Sequence, residues 1–161
     1  MEGVTRASSE TGWAHEFNIW FDPEASHITL RAPWKKIVCT PVDISVKTQL
    51  TKELIGRVKT GSSPASRYIA DYSRLYGEFN YLWDELAAVA WLDPSLITKK
   101  ETRFMDIDLD RGAGYGNILT WVESDRPKVE VQPVEIQVDL DTERFYKTFV
   151  DLLAAPTPKP H

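Results

Sequence analysis

Met105-Asp106-Ile107-Asp108-Leu109-Asp110 places an apolar side chain at every second position. Gly112-Ala113-Gly114-Tyr115-Gly116 follows, and Ile118-Leu119-Thr120-Trp121-Val122 resumes the apolar run. A period of two is the mark of a strand with one face on a core. The glycines return the chain to a partner, so residues 105–122 predict a wide β-hairpin. Residues 134–140 read as a further alternating strand.

Outward from this hairpin the period is helical. Asp22-Pro23-Glu24 is a helix start: Asp as N-cap, Pro at the first helical position, Glu near the positive end of the dipole. The helix is expected to pass through Ala25, Ile28 and Leu30 and stop before Pro33. Lys36-Ile37-Val38-Cys39-Thr40 predicts a short buried strand, and residues 48–59 a helix with Leu50, Leu54 and Val58 on one stripe. Gly61-Ser62-Ser63-Pro64 breaks the chain before a helix at about 65–77 carrying Tyr68, Tyr72 and Tyr76. Another, at about 81–92, carries Leu82, Leu86 and Val89 and ends at Asp93-Pro94. Asp141 is expected to cap a last helix bearing Phe145, Phe149 and Leu152. The expectation is an α/β fold, an incomplete open mixed sheet flanked by helices. Residues 1–14 read as loop, and four or five clear strands imply more upstream.

The chain has 161 residues, 42% hydrophobic and 27% charged, which is ordinary globular composition. A net charge of -5 and a pI near 5.2 argue against nucleic acid as a partner. The single cysteine, Cys39, excludes an internal disulfide and a zinc site built from cysteine pairs. No apolar stretch near Met1 resembles a signal peptide, and none approaches a membrane span, so cytoplasm stands as the default compartment.

Several motifs dissolve on inspection. Asp106, Asp108 and Asp110 imitate the opening of an EF-hand, but the required Gly and Glu are Arg111 and Asn117. A strand with one solvated acidic face is the expectation. The Gly112–Gly116 run lacks a following helix to cradle phosphate. The tyrosines at 68, 72 and 76 read as one side of an amphipathic helix, and His15, His27 and His161 are too scattered to form a catalytic pair.

Two stretches remain. In His15-Glu16-Phe17-Asn18-Ile19-Trp20-Phe21-Asp22-Pro23-Glu24-Ala25, a carboxylate and a carboxamide flank an aromatic in what reads as a loop entering a helix. Glu16 and Asn18 could accept from and donate to adjacent sugar hydroxyls. In Leu82-Trp83-Asp84-Glu85-Leu86, Asp84 falls in the first turn of a helix, away from the apolar stripe. A carboxylate there either caps the helix or reaches a metal.

Together, and in this order, these stretches resemble the inosine–uridine preferring nucleoside hydrolase family. Ala32-Pro33-Trp34-Lys35-Lys36-Ile37 and Thr40-Pro41-Val42-Asp43 continue the pattern, and the likeness runs from about residue 13 to 153. It implies the C-terminal part of that fold and hydrolysis of ribonucleosides to ribose and free base, in purine and pyrimidine nucleoside catabolism. It also implies Ca²⁺ holding the sugar hydroxyls and a water, and leaves room for a homo-oligomer. Glu16, Phe17 and Asn18 match substrate contacts, Asp84 matches a metal ligand, and residues 65–77 fall where the family places a mobile wall over the base. Residues 1–12 would be a divergent loop, 13–153 the hydrolase-like part, and 154–161 a disordered Pro-rich tail.

Two departures qualify the resemblance. Trp83 stands where well-known members carry the His that protonates the leaving base, and an indole cannot serve as a general acid near neutral pH. Members also open with an Asp-rich loop that supplies the catalytic base, and residues 1–14 contain none. The catalytic residue is therefore not assignable here. Calcium binding by this chain is expected to be weak or absent, and turnover by it alone negligible. The rivals are a non-catalytic α/β ribose-binding or interaction module and a truncated gene product.

Overall fold

The structure is a computed structural model, and it describes residues 16–156. The expected loop at residues 1–12 and the end of the expected Pro-rich tail, 157–161, lie outside those residues. The chain divides into two compact units: residues 1–44 with 99–139, and residues 45–98 with 140–161.

The first unit is built on a four-stranded mixed sheet in the order β1-β6-β4-β5. Its strands are β1 (Ile37–Cys39), β4 (Ile97–Ile107), β5 (Ile118–Trp121) and β6 (Gln132–Leu140). β1 pairs parallel to β6, Val38 opposite Glu135, and β4 pairs antiparallel to β5, Met105 opposite Thr120. The hairpin read from residues 105–122 is therefore present. Met105, Val134 and Ile136 are buried at the sheet's core, with Ile37, Cys39, Ile118, Val138 and Leu30 packed on them. β1 is less buried than its β-branched sequence predicts: it lies at the edge of the sheet, and Val38 is exposed.

Leu30 belongs to α2 (Pro23–Arg31), which follows a short α1 (Phe17–Phe21). Asp22 joins them, ending α1 and capping α2 by accepting from the Ala25 N–H at 2.9 Å. The predicted start and stop of α2 both hold. α1 corrects the reading of residues 16–18 as loop, since Glu16 occupies the N-cap and Phe17 and Asn18 lie inside the helix.

Asp106 corrects a second expectation. It is buried, and it is held from α2 by two residues one turn apart. His27 Nδ1 lies 2.6 Å from Oδ1, and Arg31 reaches Oδ2 with Nη2 at 2.6 Å and Nε at 3.2 Å. Burial alone would raise this carboxyl. The Arg31 hydrogen bonds, the Ile107 N–H and the nearby His27 outweigh it and hold the group below its ordinary range. At the other end of the hairpin, Gly116 has φ +83 and lies against Trp20 and Pro23. Glycine fits there on two counts, the left-handed backbone and the missing Cβ.

The second unit holds an antiparallel pair, β2 (Gln49–Thr51) and β3 (Phe79–Tyr81), with Leu50 opposite Asn80. Residues 48–59 are thus not one helix. A strand carries Leu50, Thr51 then caps α4 (Lys52–Lys59) through the Leu54 N–H, and Leu54 and Val58 are buried. A four-residue α3 (Val42–Ser45) precedes β2, its first three residues belonging to the first unit. α5 (Pro64–Tyr72) starts at its Ser63 cap and stops short of Tyr76. The Asn80 side chain accepts from the Tyr76 N–H and donates to the Arg74 carbonyl, which diverts those residues into a turn. Tyr68, Tyr72 and Tyr76 are all exposed, so their stripe is not core. α6 (Asp84–Leu92) and α7 (Thr142–Ala154) complete the unit, burying Leu86, Val89, Phe145 and Phe149. No helix among the described residues is long and apolar enough to cross a membrane.

Truncating Asp106 leaves the Arg31 guanidinium and the His27 ring without their shared partner. Asp106→Ala should lower unfolding free energy by about 2–3 kcal/mol at pH 7, read by urea denaturation. Because the folded carboxyl titrates below its unfolded value of 3.8, the contribution is full above that value and fades as pH falls through the folded one. Wild type and variant should therefore converge in strong acid. A deficit that persists unchanged at low pH would point to packing instead of charge.

Candidate functional site

In the first unit the sequence-selected residues begin with Glu16. As N-cap of α1 it makes no capping bond to its own helix. Its carboxylate turns away and accepts the Val42 N–H at 2.9 Å, at the start of α3. Half-buried, Glu16 has its carboxyl pushed above the ordinary range by burial. The Val42 hydrogen bond partly offsets that effect, and the Asp43 carboxylate reinforces it. The same two carboxylates act on Cys39. Burial of its thiol, with Glu16 and Asp43 close by, pushes it up to about 12. Glu16, Cys39 and Asp43 therefore form one electrostatic cluster. Cys39 reads from sequence as a lone thiol and Asp43 as part of the family pattern, but nothing local places residues 39–43 beside residue 16.

Phe17 and Asn18 follow on α1. Asn18 is exposed, and Phe17 is partly so, its ring centroid 5.7 Å from that of Phe21. An exposed amide and ring beside a carboxylate are suited to a polyhydroxylated ring, whose edges are polar and whose faces are apolar.

In the second unit, Trp83 occupies the N-cap of α6, with no side-chain capping bond, and Asp84 is exposed in the first turn. The Trp83 ring lies 4.9 Å from Tyr81, which meets Phe79 edge-on at 5.2 Å. These rings line a groove of about 670 Å³ with Tyr76, Glu78 and Asn80. The groove went unpredicted because β3 itself did. Among the described residues, no group of three or more His, Cys, Asp or Glu side chains is placed to hold a metal ion.

The sequence profile described as inosine-uridine preferring nucleoside hydrolase matches residues 1–147. The chain is similar to a protein of that description from Crithidia fasciculata, 27% identical over 86% of this chain and 45% of the relative. It is similar to the pyrimidine-specific ribonucleoside hydrolase RihA of Salmonella newport, at 27% over 88% of this chain and 46% of that one. Among solved structures, the plant nucleoside hydrolase PpNRh1 superposes with a TM-score of 0.74 at 25% identity, over 86% of this chain and 47% of that one. A purine-preferring ribonucleoside hydrolase from Gardnerella vaginalis has the same fold, with a TM-score of 0.69 at 23% identity over 87% and 46%. The chain spans about half the length of the curated relatives it matches.

A thiol held near 12 carries almost no thiolate at pH 8. Native Cys39 should react with iodoacetamide about a thousandfold more slowly than the urea-unfolded chain, followed by intact mass. Equal rates in the two states would remove the electrostatic cluster.

Proposed function

The chain belongs to the inosine-uridine preferring nucleoside hydrolase family, and from that membership we propose that it carries substrate-recognition residues of an enzyme cleaving ribonucleosides to ribose and free base. The observation that carries this reading is a family match running through both Glu16–Asn18 and Trp83–Asp84, joined to the unusual state of Glu16. A carboxyl raised by burial beside a second carboxylate is poorly explained by stability alone.

N-glycosidic cleavage builds positive charge on the sugar as the bond to the base breaks. In the proposed roles, Glu16 and Asn18 hold ribose hydroxyls and Phe17 walls the sugar. The Val42 N–H fixes the direction in which Glu16 presents its carboxylate. Oriented hydrogen bonds that strengthen as the sugar becomes cationic lower the barrier.

For the complete enzyme we assign Asp84 as one ligand of a Ca²⁺ ion. Calcium takes 6–8 oxygens, and among the described residues Asp84 is not gathered with the further side chains such a site needs. The described residues by themselves do not fit the ion. We further propose that turnover requires the half of the family fold that lies beyond this chain's match.

The test is ribose release from inosine and uridine. The chain alone should be at least about a hundredfold slower than the chain co-expressed with the complementary half of a relative. In the complemented protein, Glu16→Ala, Asn18→Ala and Asp84→Ala should each lower kcat/KM by about ten- to a thousandfold. Full turnover by the chain alone would sink the requirement for a second half. Substitutions without effect would sink the site.

A further inference from the structure

Resting on the hydrolase reading above, we propose that the groove of the second unit selects ribonucleosides whose base carries a fixed positive charge, such as N-alkylated purine or pyridinium bases.

The groove is lined by Tyr76, Glu78, Phe79, Asn80, Tyr81 and Trp83. Four of these six are aromatic, and the Tyr81 ring touches Phe79 on one side and Trp83 on the other. Asn80 contributes little to a ligand, since its amide is committed to the Tyr76 N–H and the Arg74 carbonyl. Glu78 is exposed and forms no ion pair among the described residues. What remains is a lining of four aromatic side chains with one carboxylate and no cationic side chain. Ring faces carry the negative part of the aromatic quadrupole, so both elements attract a flat cation more than a neutral ring of the same size.

The chemistry points the same way. When a neutral nucleoside is hydrolysed, the electron pair of the C1′–N bond leaves on the base, which departs as an anion unless an acid protonates it. The groove offers no imidazole, thiol or ammonium for that purpose, and an indole N–H or phenol donates a hydrogen bond more readily than it surrenders a proton near neutral pH. A fixed cation removes the need. The same electron pair cancels the positive charge and the base leaves neutral. Water supplies the oxygen bonded to C1′ and releases one proton to solvent, so charge and atoms balance without a general acid.

The probe pair is 1-methylnicotinamide and nicotinamide, which share a ring and differ by one methyl group and one charge. NMR titration of the whole chain should show the cation binding roughly tenfold more tightly. Glu78→Gln, a surface change, and Trp83→Leu should each narrow that ratio, whereas Trp83→Phe should keep most of it. Equal affinities would overturn the inference while leaving the hydrolase reading to its own ribose-release test. Binding of neither compound would overturn it too. A retained cation preference in a complemented protein that releases no ribose would confirm the groove and reject the hydrolysis.

Discussion

The first unit depends on the burial of one charge. Asp106 sits on a core strand, and its cost is met by two side chains one helical turn apart on α2. This fixes α2 along the sheet at a chosen height and rotation, because His27 and Arg31 must both face the same carboxylate. Gln132 on β6 reinforces the register by donating to the carbonyls of Arg31, at 3.2 Å, and Ala32. Asp22 is shared between α1 and α2, so whatever fixes α2 also aims α1. The hairpin adds a third restraint where Gly116 meets Trp20 and Pro23, and a fourth where the Tyr115 hydroxyl donates to Glu24. The orientation of Glu16 follows from these.

Asp106 and Glu16 are opposites in the same unit. Both lose water, yet one carboxyl is driven down and the other up. The difference lies in the neighbours. Asp106 has a guanidinium and an imidazole, whereas Glu16 has one backbone N–H and the like charge of Asp43. A carboxylate paired with a guanidinium and an imidazole is spent on holding the fold together. One that is buried with little compensation keeps its capacity for a ligand. That contrast is the ground on which Glu16, and not Asp106, is proposed for the site.

What could be read from sequence follows the range of the forces involved. Asp22-Pro23, Ser63-Pro64 and Asp141 act on N–H groups two or three residues away, and each helix starts where its cap stands. The 105–122 hairpin is local and was legible for the same reason. His27 and Arg31 meet Asp106 across 79 and 75 residues, so the acidic alternation looked like a solvated face. Leu50 kept helical spacing with Leu54 and Val58 but was drawn into a strand by its partner Asn80. Tyr76 shared a stripe with Tyr68 and Tyr72 until the Asn80 side chain claimed its N–H. Of the site, Glu16 was visible as chemistry, but its partners Val42, Asp43 and Cys39 were visible only in three dimensions.

The start of α6 resists a purely structural account. Among the described helices of eight residues or more, α2, α4, α5 and α7 each begin with a side chain that accepts from the first turn: Asp22, Thr51, Ser63 and Asp141. α6 begins with Trp83, which makes no such bond. Replacing a good cap by an apolar residue costs about 1 kcal/mol. Asp84 and Glu85 recover part of that by facing the positive end of the helix dipole, but a Ser or Asp at residue 83 would have done so more cheaply. A departure from local preference that the fold does not require is expected where a side chain serves a ligand. Trp83 lines the groove at the cost of the cap, and the exposed Asp84 beside it is free of the apolar stripe that holds the helix in place.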